Sequence, residues 1–232
     1  MADENKEQQE KKELEGQETL EQTLDQTQEF LENNKGILQK VLIAVIVIMG
    51  GYIVLKNFVW GPAETASQEA LWEAQYVFEA DSFAQAAELF GDLKAEYGST
   101  DAGNVSNLYL GISLMKEGAF DEAIEALEDF KGEGYLLPAV GEGLKGDCHS
   151  ELAEYEAAVK SYKKAARLAD SKVYSPYFLK KAGLVLEELG EATEAASLYQ
   201  EILDKYYYDG IVEFNKERKE IVVLLARAQA KN

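Results

Sequence analysis

The stretch LGISLMKEGAFDEAIEALEDF, from Leu110 to Phe130, decides the fold class because it outlines a helical hairpin. Two segments rich in helix-forming residues, 104–117 and 120–130, flank the dipeptide Gly118-Ala119. Glycine accommodates the left-handed backbone that commonly ends a helix, so it separates the two segments well. The stretch therefore predicts two antiparallel helices joined by a tight turn.

The same pattern occurs four times, with steps of 37, 35 and 37 residues between equivalent positions. The positions form a small-residue column, an alanine column twelve residues later, and two columns of larger, mostly aromatic residues three before and four after the alanines. We expect the small residues to let the two helices of a pair touch, and the last column to fill the space between successive pairs. The columns are Ala74, Gly111, Gly146 and Gly183; Ala86, Ala123, Ala158 and Ala195; Phe83, Phe120, Tyr155 and Ala192; and Phe90, Leu127, Tyr162 and Tyr199.

These repeats resemble the tetratricopeptide family. The resemblance covers residues 67 to 207 and rests on Leu110-Gly111, Gly118-x-Phe120-x-x-Ala123, and the Gly183, Leu189-Gly190 and Ala195 set. The steps exceed the usual period of about 34 residues, and we place the extra residues in the turns between repeats. The resemblance implies an all-α, right-handed solenoid of about four helix pairs over residues 67–210.

A last amphipathic helix is predicted over residues 211–232. Ile221, Leu224, Leu225 and Ala228 fall on one face of it. Such a helix could cover the apolar end of the repeat stack, as terminal helices of solenoids do. The alternative is a contact between two copies of the chain.

Before the repeats lies an apolar run whose centre, Val41 to Leu55, contains no charged residue. A span of roughly 20 apolar residues crosses a bilayer core of about 30 Å, so we predict one transmembrane helix over residues 35–60 and a linker over 61–66. A buried core helix would show a polar stripe, and a cleaved signal would not follow 36 mostly polar residues. Both alternatives fit the run less well.

The first 34 residues are an acidic tail, with eleven Asp or Glu against three Lys. A segment with so few large apolar side chains cannot offset its ordering entropy, so residues 1–34 are predicted to be largely disordered. A short juxtamembrane helix from Thr19 onward is the alternative for its second half. Lys35 and Lys40 precede the apolar run, and only Lys56 closely follows it. The positive-inside rule then favours a cytoplasmic tail.

Composition excludes several functional classes. The formal net charge of −20 leaves no basic surface for nucleic acid. The only cysteine and the only histidine, Cys148 and His149, are chain neighbours that point about 100° apart on a helix, so they form neither a catalytic pair nor a zinc site. No phosphate-binding loop is present. We therefore predict a protein that is not an enzyme and uses no cofactor, metal or small-molecule substrate.

The remaining candidate site is a protein-binding groove on the first helix of each pair. An alternative is that several of these residues are core between repeats. Leucines also stand where the tetratricopeptide clamp for C-terminal carboxylates would place lysine, which favours an apolar ligand segment. The predicted groove residues are Leu71, Gln75, Phe78, Leu108, Ile112, Met115, Asp147, Ser150, Lys180, Leu184 and Glu187.

Two short motifs add a narrower resemblance. FLENNKG (30–36) leads into the apolar run, and FKGEGY (130–135) is followed by LKGD (144–147). In this order the chain is similar to the YfgM-type ancillary subunits of the SecYEG translocon. That family implies a bacterial inner-membrane protein with a periplasmic repeat domain, whose partners are translocon components, periplasmic chaperones or unfolded emerging chains. An envelope scaffold for division or cell-wall assembly is the alternative.

Overall fold

The computed structural model describes residues 31–56, 58, 61–207 and 215–231, and their regular secondary structure is helical. Two compact units are present, Met1–Gly61 and Pro62–Asn232. Most of the predicted acidic tail lies outside the described residues. Its last four residues, 31–34, are helical.

The first unit contains helix α1 (Leu31–Leu55), which is 25 residues long and apolar enough to cross a membrane. At 1.5 Å per residue it measures about 37 Å, more than the thickness of a bilayer core. None of its most apolar window is buried. A core helix of a water-soluble fold would be mostly buried, so exposure favours a membrane span over that alternative.

Within its described residues, the second unit contains four helix pairs and a final helix. Each helix packs against the helices next to it in the chain, which confirms the predicted all-α repeat architecture. Residues 61–66, predicted as a linker, instead form the start of the first helix of this unit. The helices are α2 (Gly61–Glu79) and α3 (Phe83–Tyr97), α4 (Asp101–Glu117) and α5 (Phe120–Asp129), α6 (Leu136–Glu151) and α7 (Tyr155–Ala169), α8 (Tyr174–Glu188) and α9 (Ala192–Lys205), then α10 (Asn215–Ala230).

The turn inside each pair contains one residue with a left-handed backbone. These residues are Asp81, Gly118, Ala153 and Gly190, with φ of 58°, 80°, 57° and 80°. They follow the same steps as the repeat columns, so the turn keeps its geometry even where glycine is replaced. A left-handed alanine costs on the order of 1 to 2 kcal/mol, and the surrounding packing must offset that cost at Ala153.

The small-residue column sets the distance between the two helices of a pair. A Cβ atom on Gly111 would lie 2.6 Å from the Leu127 side chain, and one on Gly146 would lie 2.7 Å from the Tyr162 ring. Residues of the last column therefore pack against the glycine of their own pair. The prediction that this column fills the space between pairs is right for Phe90, which stacks on Tyr109 of α4 at 5.2 Å. Later members of the column contact both their own pair and the next one: Leu127 shares a buried cluster with Cys148 of α6, and Lys181 of α8 lies 5.4 Å from the centre of the Tyr162 ring.

Helix α10 covers the end of the stack. Ile221, Leu224 and Ala228 are buried in the same apolar cluster as residues of α8 and α9, and Leu225 packs beside them. The predicted residues 211–214 lie outside the described part of the chain. From Asn215 onward, the helix has the predicted capping role.

A buried carboxylate fixes α10 to α8. The Glu187 side chain is 2% exposed and accepts hydrogen bonds from Arg227 Nη2 at 2.7 Å, from Arg227 Nε at 2.9 Å, from Lys231 at 3.0 Å and from the Tyr199 hydroxyl at 2.9 Å. Burial alone would raise the pKa of Glu187, but these donors outweigh burial and lower it to about 2. Glu187 was predicted to face the groove. It lies instead inside the α8–α10 contact.

Gly183→Ala should destabilise the repeat domain by about 1 to 3 kcal/mol, because a methyl group would meet the buried Tyr199 ring at 2.5 Å. Gly91→Ala is the matched control, since it also lies in a helix but its Cβ would meet no atom within 4 Å. That control should gain up to about 1 kcal/mol from helix propensity. Urea unfolding of both variants checks this, and equal effects would contradict the close contact.

Glu187→Gln should weaken the α10 contact by roughly 2 to 4 kcal/mol at neutral pH, because it removes the buried negative charge that Arg227 and Lys231 bind. Since folding lowers the pKa of Glu187, the contribution of this carboxylate to the free energy of unfolding is fully present above pH 4.5 and declines as the pH falls toward about 2. The stability difference between wild type and variant, measured by urea unfolding, should shrink over that range. Glu188→Gln, at the exposed neighbouring position, should show no such trend.

Candidate functional site

A cleft of about 690 Å³ opens across the second, third and fourth helix pairs. The first helices of these pairs, α4, α6 and α8, supply most of its lining, and α5 and α7 supply one residue each. The lining residues are Ile112, Met115, Lys116, Phe120, Leu144, Asp147, Ser150, Glu151, Tyr162 and Lys181.

One wall of the cleft is apolar. Met115, Phe120 and Leu144 pack against the buried cluster of Ala123, Leu127 and Cys148 but keep part of their surface exposed. Ile112 is half-buried beside them. An apolar side chain that entered here would remove this surface from water, at about 25 cal/mol for each Å² buried.

The other part of the lining is a polar network on three helices. Asp147 Oδ1 on α6 accepts hydrogen bonds from the Tyr162 hydroxyl on α7 at 2.5 Å and from Lys181 Nζ on α8 at 2.6 Å. The same ammonium lies 5.4 Å from the centre of the Tyr162 ring and 5.2 Å from that of Tyr177, within cation–π range. This network ties the third pair to the fourth.

The protonation of this network is fixed at neutral pH. Burial raises the pKa of Tyr162, and its hydrogen bond to Asp147 raises it further, so the phenol stays a neutral donor. Burial lowers the pKa of Lys181, but hydrogen bonds to Asp147 and Tyr177 outweigh burial and raise it. A ligand therefore meets a charged lysine already held in place.

The residues with potential reactivity lie outside the cleft lining. Cys148 is fully buried, and burial together with the Asp147 charge raises the pKa of its thiol to about 12. His149 Nδ1 is 2.7 Å from Glu154 Oε2. Within the described ranges, no group of three or more His, Cys, Asp or Glu side chains could hold a metal ion. The cleft thus offers groups for non-covalent binding.

The structure brings together only part of the predicted groove. Ile112, Met115, Asp147 and Ser150 line the cleft. The others lie elsewhere. Leu71 is 8% exposed and packs in the core of the first pair, and Phe78 packs edge-on against Phe83 and Tyr109. Leu108 packs against the buried cluster of Ala123, Leu127 and Cys148. Lys180 binds Glu220 of α10, Leu184 is exposed, and Gln75 is half-buried on α2. For Leu71 and Phe78, the alternative of repeat core is the better description.

Sequence reasoning missed six of the ten lining residues, among them Tyr162 and Lys181. Leu144 and Lys181 lie two residues before the glycine of their helix, whereas the prediction used the position three before it, as in Leu108 and Lys180. One residue rotates a side chain by about 100° around the helix axis, enough to turn Lys180 toward α10. Tyr162 already stood in the last repeat column, and its hydroxyl was the signal that could have placed it beside a carboxylate.

Comparison with known proteins gives the same repeat type. A family profile described as tetratricopeptide repeat-like domain matches residues 60–182, and one described as tetratricopeptide repeat matches 181–206. A search of curated proteins found no match. Among solved structures, one described as a Podosopora anserina kinesin light chain with nearly identical TPR-like repeats has TM-score 0.58 at 16% identity, over 73% of this chain and 87% of that one. A MamA structure has TM-score 0.51 at 21% identity, over 74% and 92%. At these identities the likeness concerns the fold alone.

Proposed function

Because this chain belongs to the family of tetratricopeptide repeat-like domains, we propose that it is a membrane-anchored protein-interaction module of the bacterial inner membrane. Domains of this type mediate protein–protein contacts and are generally non-catalytic scaffolds. In the proposal, α1 spans the membrane once, the N-terminal tail is cytoplasmic and the repeats are periplasmic. The module works as an ancillary subunit of the Sec translocon.

The single observation that carries this proposal is the two-walled cleft. The Ile112, Met115 and Leu144 surface suits an apolar side chain, and the Lys181 ammonium beside it suits a backbone carbonyl or a carboxylate. A partly extended or unfolded chain presents both kinds of group together. A translocating polypeptide, or a chaperone that accompanies it, therefore fits the chemistry of the cleft.

The covalent link to α1 supplies the second part of the argument. Only residues 56–60 separate α1 from α2. A short tether keeps the cleft at a high effective concentration near the membrane, so a weak contact with an emerging chain becomes useful. The FLENNKG and KGEGY motifs are the reason for choosing the translocon among membrane partners.

The KGEGY segment has a defined position beside the cleft helices. Asn104 of α4 accepts a hydrogen bond from the Lys131 backbone N–H and donates one to its carbonyl, both at 2.8 Å. Tyr135, at the end of the segment, is 62% exposed. In the proposal this tyrosine contributes to the translocon contact.

The proposed orientation predicts that protease added to intact spheroplasts digests the repeat domain and leaves an N-terminal epitope tag protected. The physical reason is the lysine bias around α1, two before against one after. Immunoblotting for both ends of the chain gives the result. A repeat domain that resists protease until the spheroplasts are lysed would contradict the periplasmic location.

A photoreactive benzoylphenylalanine at Ile112 or Met115 should crosslink to a translocon component, a chaperone or an arrested secretory chain, because both positions line the apolar wall. The same group at Lys160, exposed on α7 outside the cleft lining, is the control and should give no such product. Mass spectrometry identifies the adducts from living cells.

Ile112→Glu tests the cleft more strictly, since a carboxylate on the apolar wall should abolish crosslinking from Met115 while circular dichroism stays unchanged. Crosslinks to division or cell-wall proteins alone would favour the envelope-scaffold alternative. Equal crosslinking from Lys160 and Ile112 would contradict a role for the cleft.

A further inference from the structure

The outer face of α2 differs from the corresponding face of every later first helix. In the later pairs, the first helix packs against the second helix of the preceding pair. The position two residues after the small-residue column is covered by that contact, and its residues Ser113, Cys148 and Val185 are 0%, 0% and 8% exposed. In α2 the same position is Tyr76, which is 76% exposed.

A second position on this face shows the same contrast. Five residues before the column, Ser106, Gly141 and Phe178 are buried in the later pairs, whereas Glu69 of α2 is exposed. Trp72, one helical turn after Glu69 and one before Tyr76, is 73% exposed. The face is thus the surface on which a preceding helix would lie.

The residues on this face are unlike those of a simple polar cap. Terminal repeats of solenoids usually present a polar outer face, which keeps the end of the stack soluble. Here two large aromatic side chains lie one turn apart on α2, with Glu69 and Glu73 alongside them. Exposed Trp and Tyr are enriched where proteins bind proteins.

Charge indicates which partner fits. Residues 61–130, which form the first two pairs, carry fifteen Asp or Glu and two Lys or Arg, whereas residues 131–232 carry seventeen and fifteen. One of the two lysines, Lys94, is bound to Asp129 at 2.7 Å. A second copy that met this face with its own first two pairs would bring like charges together, and so would the acidic tail or an anionic lipid surface.

We propose that the outer face of α2, formed by Glu69, Trp72, Glu73 and Tyr76, binds a Lys/Arg-rich amphipathic helix of a partner protein in the place of a preceding repeat. The apolar side of that helix covers the aromatic pair. Its cationic side chains bind the glutamates and lie over the Trp72 and Tyr76 rings, which attract cations through their π faces. This surface is separate from the cleft. A negative result for peptide binding at α2 would therefore leave the proposed function of the cleft unaffected.

The two tryptophans of the chain are Trp60 and Trp72, so Trp60→Phe leaves one fluorophore on the proposed surface. The full chain with this change, in nanodiscs of zwitterionic lipid, is titrated with a helical peptide that has leucines on one face and arginines on the other. A matched peptide with glutamates in place of the arginines is the control ligand. The arginine peptide should bind at least about tenfold more tightly, shift Trp72 emission to shorter wavelength, and weaken as salt rises.

Variants then locate the binding. Glu69→Gln/Glu73→Gln should lower affinity for the arginine peptide about tenfold, and Trp72→Ala/Tyr76→Ala, followed by peptide fluorescence anisotropy, should lower it at least as much. Tyr174→Ala, a 40% exposed tyrosine on α8, is the control and should bind like wild type. Circular dichroism should show all variants folded, as these side chains are exposed.

Three outcomes would overturn the proposal. The first is equal binding of both peptides, or full binding by the Trp72→Ala/Tyr76→Ala variant. The second is a Trp72 blue shift with vesicles of phosphatidylglycerol and no peptide, which would assign the face to lipid. The third is a dimer of the wild-type chain that dissociates in the Trp72→Ala/Tyr76→Ala variant, which would assign the α2 face to a second copy.

Discussion

The close approach of two helices at one small residue is the constraint on which the repeat domain depends. At Gly111, Gly146 and Gly183 the missing side chain is replaced by Leu127, Tyr162 and Tyr199 of the second helix. These contacts bring the helices of each pair together and fix the rotation of the first helix about its axis. The rotation in turn decides which side chains face the cleft and which face the neighbouring pair. The polar network of Asp147, Tyr162 and Lys181 is therefore a consequence of backbone packing, since Tyr162 is the ring that rests on Gly146.

Two interactions of opposite chemistry hold the later pairs in register. Between the third and fourth pairs, Phe178 inserts against Gly143, and Asp147 binds Lys181 across the same interface. Between the fourth pair and α10, the buried Glu187 binds Arg227 and Lys231 while Ile221 and Leu224 enter the core. In each case an apolar contact contributes most of the packing free energy, and a charge pair keeps the neighbouring helices from sliding past each other. Because every pair contacts mainly its neighbours, stability accumulates along the stack.

The sequence was sufficient for the fold because the periodicity of small residues repeats four times with nearly constant steps. The predicted helix bounds were close to the observed ones for the second pair, where glycine and alanine mark the turn. The start of α2 was misplaced because residues 61–66 were predicted to be a linker, although the proline at position 62 is well tolerated in the first turn of a helix. The cleft was only half predictable. Its lining depends on how each first helix is rotated about its axis, and a repeat alignment does not determine that rotation to within one residue. It also depends on distant ion pairs, such as that of Lys180 with Glu220, which lies 40 residues further along the chain.

Burial of the single cysteine has a consequence for where this protein can work. A lone exposed thiol in an oxidising compartment would form mixed disulfides, joining copies or trapping passing chains. Cys148 is fully covered beneath the second pair, and its raised pKa leaves almost no thiolate at neutral pH. The folded domain is thereby inert to thiol exchange and would need no reductant to stay free of disulfide adducts in an oxidising compartment.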